Sequence, residues 1–206
     1  MRHLGSRAEA VNHAGERPLR VLLLEDVAGL PVGVASVDDQ RQAGLARRSD
    51  VGAEALDLLG PRAVLVVEVE AGLADADAET GDMLEEEYAK GAFRGLIHCF
   101  SAGPEVAHRA LALGLFISIS GIVTFKAAEE LRTIVRHIPI DRLLVETDAP
   151  YLAPVPKRGK TNEPAFVAHT AAKVAELKGV TLAELEAATT ENFFRLFAKA
   201  ERPACG

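Results

Sequence analysis

The chain has 206 residues, 49% of them apolar and 26% charged, with a formal net charge of −7. This is a globular composition sized for one domain, or one domain and an appendage. The acidic balance argues against a nucleic-acid coating protein, whose affinity comes from a surplus of Lys and Arg on phosphates. Apolar runs such as 63–67 and 113–117 fall far short of the ~20 residues a membrane helix needs. Residues 1–15 carry charges and no apolar stretch of the kind a secretory signal requires. Cys99 and Cys205 are too far apart in sequence for a CxxC metal site or a disulfide framework, so a reducing cytoplasm is the expected setting.

In chain order, the early part is weakly patterned. No Phe, Tyr or Trp precedes Tyr88, no Lys precedes Lys90, and the first Ile is Ile97. Such a stretch lacks the side chains that bury most area per residue. Within it Leu19–Glu25 and Arg62–Glu70 read as strands, and Gln40–Leu59 has room for a helix. Three readings of residues 1–73 stay open: a small α/β piece packed on the rest, a divergent start of the same domain, or a stretch misread from its gene. Residues 74–200 form the legible unit, followed by a tail at 201–206.

From there the elements alternate. Ala78–Lys90 is predicted as a helix stopped by Gly91, Arg94–Phe100 as a strand, and Pro104–Leu113 as a helix with proline in its tolerated first turn. Leu115–Ser120 is predicted as a strand, and Lys126–His137 as a helix with Leu131, Ile134, Val135 and Ile138 on one side. Arg142–Thr147 follows as a strand. Glu163–Lys178 and Leu182–Lys199 close the chain as helices, the second capped by Thr181 with Glu184 three residues on. Alternating strands and helices with short connections predict right-handed βαβ units and a parallel sheet, and the short continuous apolar strands suit burial on both faces.

In a parallel barrel the chemistry sits at the C-terminal strand ends. Two strands here end in groups that bind cations: one runs into His98, the other into Asp148. Imidazole and carboxylate suit Zn²⁺ or Mn²⁺, and carboxylate with water suits Mg²⁺. Each residue also has an ordinary reading, His98 as a hydrogen-bonded strand end and Asp148 before Ala-Pro as a turn residue. Glu146 shares the side of Asp148 by strand alternation and is read as a supporting residue. His108, His137 and His169 fall in predicted helices and are read as non-catalytic.

Five ordered segments add a resemblance. They are His98-Cys99-Phe100-Ser101, Ile117–Phe125 (ISISGIVTF), Asp141–Pro154 (DRLLVETDAPYLAP), Arg158–Pro164 (RGKTNEP) and Thr189–Phe197 (TTENFFRLF). Together they resemble the C-terminal part of TatD-type metal-dependent hydrolases, a (β/α)-barrel family of DNases. The resemblance implies an α/β, TIM-like barrel, incomplete here, with its last three strands and closing helices recognisable. It implies His98 as a metal ligand on the sixth barrel strand, and Asp148 on the eighth as both metal ligand and general base. Lys157, Arg158 and Lys160 would hold a phosphodiester, although a solvated basic loop accounts for them equally. The cofactor would be a divalent cation (Mg, Mn or Zn), two in the complete family site, and the partner DNA or a short nucleic acid.

The sequence departs from the family pattern in three places. Ala102 intervenes before Gly103 in the HCFSG-like segment, and no HxH pair occurs anywhere in the chain. Gly72 stands where the fifth-strand histidine is expected, while Glu68 and Glu70 precede that position and match no motif. A catalytic zinc normally takes three protein ligands and a water, and the complete barrel typically has ~250 residues. Four functions therefore remain in play: a DNase, an inactive truncated relative, a related ester hydrolase such as an aminoacyl-tRNA deacylase, and a non-catalytic assembly module using an exposed sheet edge, with the oligomeric state open.

Overall fold

The structure, a computed structural model, describes residues 20–24, 34–36, 64–68, 74–90, 93–198, 200 and 202. Among the described residues six strands form one sheet: β1 (Arg20–Leu24), β2 (Val34–Ser36), β3 (Val64–Glu68), β4 (Arg94–His98), β5 (Phe116–Ile119) and β6 (Leu143–Val145). Their order across the sheet is β2-β1-β3-β4-β5-β6. The helices are α1 (Ala74–Lys90), α2 (Pro104–Ala112), α3 (Glu129–His137), α4 (Val167–Lys178) and α5 (Leu182–Leu196).

From β3 to β6 every pairing is parallel, as the alternating pattern predicts. The two early strands differ, because β1 runs antiparallel to both β2 and β3. The predicted strands at 19–25 and 62–70 are present with trimmed ends, and Val34–Ser36 is an additional one. The helix foreseen within 40–59 lies outside the described residues. Helix α1 begins at Ala74, one turn earlier than its sequence signals. Helix α3 begins at Glu129 because Gly121–Thr124 forms a separate 3₁₀ turn, and α4 is likewise preceded by a 3₁₀ turn at Pro164–Phe166. Among the described residues no helix is long and apolar enough to cross a membrane.

Strand alternation sorts the side chains into two layers. Ile97, Ile117, Ile119 and Leu143 are fully buried and join Val106 of α2, Val135 of α3, Val174 of α4 and Leu185 of α5 in the main core. Full burial of a Leu, Ile or Val side chain contributes about 1.5–3 kcal/mol, so this layer is the main source of cohesion. On the other face Leu96, Phe116 and Leu144 form a second apolar group with Val64 and Leu196. Two residues further along the same strands stand His98, Ser118 and Glu146. An apolar floor therefore underlies a polar layer at the C-terminal end of the parallel sheet, where such folds keep their chemistry.

Local devices fix this frame. Thr181 and Glu184 make the reciprocal capping box that their spacing predicts. Asn192, 1% exposed, donates from Nδ2 to the carbonyls of Ile140 and Leu143, both at 2.8 Å, and so ties α5 to the start of β6. Arg109 of α2 reaches Asp82 at 2.7 Å and Glu85 at 2.8 Å, docking α1.

Candidate functional site

His98 is the last residue of β4, and Cys99 turns the chain away from the sheet with φ +49°. The turn is short. Phe100 donates its N–H to Ser118 O at 3.0 Å, and Gly103 then caps α2, donating to Asp77 Oδ2 at 2.8 Å. Ala102 within this turn is buried, so the extra residue before Gly103 is absorbed by packing and leaves the position of His98 at the strand end.

Glu146 follows β6 directly, and its N–H donates to Ile119 O at 3.0 Å, continuing the ladder. Its side chain lies across the mouths of three adjacent strands. The Ser118 hydroxyl donates to Oε2, and the Cys99 backbone N–H also reaches the carboxyl. Oε1 lies 3.3 Å from His98 Nε2, an ion-pair distance without the alignment of a hydrogen bond. The pair is largely enclosed, with 29% of the His98 side chain and 15% of the Glu146 side chain exposed. Burial pushes the Glu146 carboxyl above the usual carboxylate range. The imidazole, the Ser118 hydroxyl and the Cys99 N–H pull it back down, and the negative charge of Asp148 adds to the upward push. His98, at the end of β4, and Asp148, in the loop after β6, thus both influence the charge state of Glu146.

Asp148 sits in the left-handed region at φ +53°, which Asp tolerates better than most residues. The loop that follows is held from several sides. Tyr151 N–H donates to Asp148 O at 2.9 Å. Buried Asn162 donates from Nδ2 to Thr147 O at 2.6 Å and to Tyr151 O at 2.5 Å, and its own N–H donates to Pro150 O at 3.0 Å. Thr124 Oγ1 accepts from Val155 N–H at 2.9 Å. Gly121 allows the loop to approach closely, since a Cβ there would lie 2.2 Å from Leu152 O.

The basic residues of this loop are committed unequally. The Arg158 guanidinium stacks 3.7 Å over the Phe125 ring, and Lys157 Nζ lies 5.2 Å from the centre of the Phe166 ring. Lys160 is exposed. His108 and His137 are exposed on helices and His169 is half-buried beside Phe166. Sequence reasoning gave Asn162 no role and Glu146 only a supporting one. The signal for Glu146 was its even spacing from Leu144 and Asp148; for Asn162 only its motif was visible.

His98 Nδ1 and Glu146 Oε1 are both buried with no hydrogen-bond partner among the described residues. Among the described residues no group of three or more His, Cys, Asp or Glu side chains is assembled for a metal.

Residues 72–198 match the model of the TatD related DNase family. The chain belongs to that family. Over 123 residues it is 54% identical to the uncharacterized metal-dependent hydrolase YcfH of Escherichia coli strain K12, covering 60% of this chain and 46% of that protein. Over the same span it is 46% identical to the uncharacterized metal-dependent hydrolase YabD of Bacillus subtilis, covering 48% of that protein. The chain spans about half the length of the curated relatives it matches. In structure it is similar to YJJV, a TatD homolog from Escherichia coli K12, with TM-score 0.52 and 21% identity over 72% of this chain and 69% of that one. A TatD family hydrolase from Entamoeba histolytica matches with TM-score 0.51 and 20% identity, over 65% of this chain and 50% of that one. The fold is accordingly the α/β fold of TatD proteins, with the described sheet representing part of the barrel.

Proposed function

We propose that this TatD family chain carries the His98 and Asp148 portion of a metal-dependent hydrolase site that cleaves phosphodiester bonds in DNA or short nucleic acids. The observation that supports the reading is the polar layer above Leu96, Phe116 and Leu144, where His98 lies 3.3 Å from the Glu146 carboxyl and Asp148 follows two residues after Glu146 with its charge felt there. His98 and Asp148 would hold a divalent cation, which when bound supplies a water acidified toward neutrality and positive charge for the phosphate. Asp148 would accept the proton of the attacking water, the role a carboxylate takes beside an acidified nucleophile. Lys160 and the Lys157 and Arg158 stems edge the same loop and give a phosphodiester its counter-charge.

The test is metal content of the purified protein, set beside DNase assays with and without EDTA. The expected result is bound divalent metal and an activity that EDTA and Asp148→Asn both remove. A protein that binds no divalent metal, with activity equal to that of Asp148→Asn, overturns the reading.

One sequence feature favours a second reading, an inactive member of the family. No HxH pair exists in the chain and Gly72 occupies the position of the fifth-strand histidine, so three of the family's histidine ligand positions are not filled by matching residues. That reading predicts the negative outcome of the same assay. A substrate panel including aminoacyl esters separates nuclease from ester hydrolase activity.

A further inference from the structure

We propose that Tyr151 is a base-stacking residue: on the loop that follows Asp148, its exposed ring packs against a base of the strand whose phosphates the cations of the same loop hold. The inference rests on the nucleic-acid reading above and names the residue that contacts a base.

The loop gives Tyr151 a fixed backbone and an open side chain. Its N–H donates to Asp148 O at 2.9 Å, and its carbonyl accepts from Asn162 Nδ2 at 2.5 Å, with Asn162 itself only 4% exposed. Ala153, two residues on, is buried, so the loop is seated on the protein on both sides of Leu152. Tyr151 is nonetheless 48% exposed. Aromatic rings gain more than most side chains from burial, and a ring held outward on a pinned backbone suits a partner with a flat face. The charge around it says which partner. Between Tyr151 and Asn162 stand Lys157, Arg158 and Lys160 and no carboxylate, in a chain of formal net charge −7. Arg158 and Lys160 are exposed, and the Arg158 guanidinium is stacked 3.7 Å over the Phe125 ring, a setting that keeps its in-plane N–H groups for an anion. A partner with both a flat apolar face and phosphates is a nucleotide. Proteins that hold single strands combine these same elements, cations along the backbone and an aromatic ring under a base. Because Tyr151 is hydrogen-bonded to Asp148 through the backbone, the stacked base belongs to a nucleotide close to the phosphate under attack.

The test is fluorescence anisotropy of a labelled single-stranded oligothymidylate and of the same strand with abasic sites, both titrated in EDTA so that binding is read apart from hydrolysis. The parent should bind the thymidylate more tightly than the abasic strand. Tyr151→Ala should weaken thymidylate binding by about 5–100-fold, the range for loss of one stacked base, and leave abasic binding nearly unchanged. Tyr151→Phe should keep the parent affinity, since the ring and not the hydroxyl makes the contact. Equal binding of the two strands by the parent, a comparison that needs no variant, overturns the inference. So does an equal loss on both strands in Tyr151→Ala, which would mark a residue that only shapes the loop. Tyr151-dependent binding without metal-dependent hydrolysis overturns the catalytic reading and supports the stacking contact. EDTA-sensitive hydrolysis with thymidylate binding unchanged in Tyr151→Ala overturns the stacking contact alone.

Discussion

His98 and Asp148 reach the same end of the sheet by different routes. His98 stands on the last residue of β4, and the chain leaves it through a tight turn whose members Phe100 and Ala102 are buried. Asp148 stands on a loop that runs from the end of β6 to the 3₁₀ turn at Pro164, and most of that loop is exposed. At β4 the position is set by the ladder and by core packing. At β6 it is set by individual polar contacts from Asn162, Thr124 and the close approach at Gly121. The difference teaches that one side of the site inherits its rigidity from the fold, whereas the other depends on a few replaceable side chains.

The sharpest way to separate the two sides is chemical. Asp148→Asn keeps the size of the side chain and removes the base, so hydrolysis should fall by about 10²–10⁴-fold while the unfolding midpoint stays near that of the parent. An unchanged rate would remove Asp148 from the mechanism. Next comes the clamp. Asn162→Leu leaves the Thr147 and Tyr151 carbonyls without their buried donor, each at a cost of about 1–3 kcal/mol. Urea unfolding should show that loss, and the rate should drop because Asp148 is no longer held. An equivalent loss of activity without loss of stability would mean that Asn162 touches substrate instead.

A pH series probes Glu146, at the end of β6. The Glu146 carboxyl is raised above its ordinary value by burial, so the folded protein binds its proton more readily than the unfolded chain does. Stability from that proton is present below the unfolded value and is lost as pH rises through the raised one. The parent should therefore lose stability relative to Glu146→Gln between the ordinary carboxylate range and neutrality, measured as urea midpoints across that window. A constant gap between the two proteins contradicts the burial account. The smallest effect is expected at Arg158. Its stacking on Phe125 at 3.7 Å is worth about 0.5–1 kcal/mol at an exposed site. Arg158→Ala should raise KM a few-fold with kcat little changed, and an effect on kcat alone would place it nearer the chemistry.

Much of this architecture was legible in the residues. The helix α3 stripe, the Thr181 capping box and the parallel strands from β3 to β6 follow from periodicity and caps, because those are local properties of the chain. The placement of His98 at a strand end was legible for the same reason. What was not legible is cross-strand. Glu146 meets Ser118 and His98 only because β4, β5 and β6 are neighbours in a particular register, and no spacing within one strand encodes that. Asn162 reaches back across its own loop, through geometry that exists only once that loop is folded. The antiparallel pairing of β1 with β3 was equally hidden, since a five-residue apolar run carries no mark of direction.

The most direct test of the account is Mn²⁺ binding measured side by side on the parent, His98→Gln and Asp148→Asn by equilibrium dialysis. Saturable binding in the parent that weakens at least tenfold in each variant is the predicted result. Equal binding in all three proteins, or none in any, contradicts a cation held between these two strand mouths.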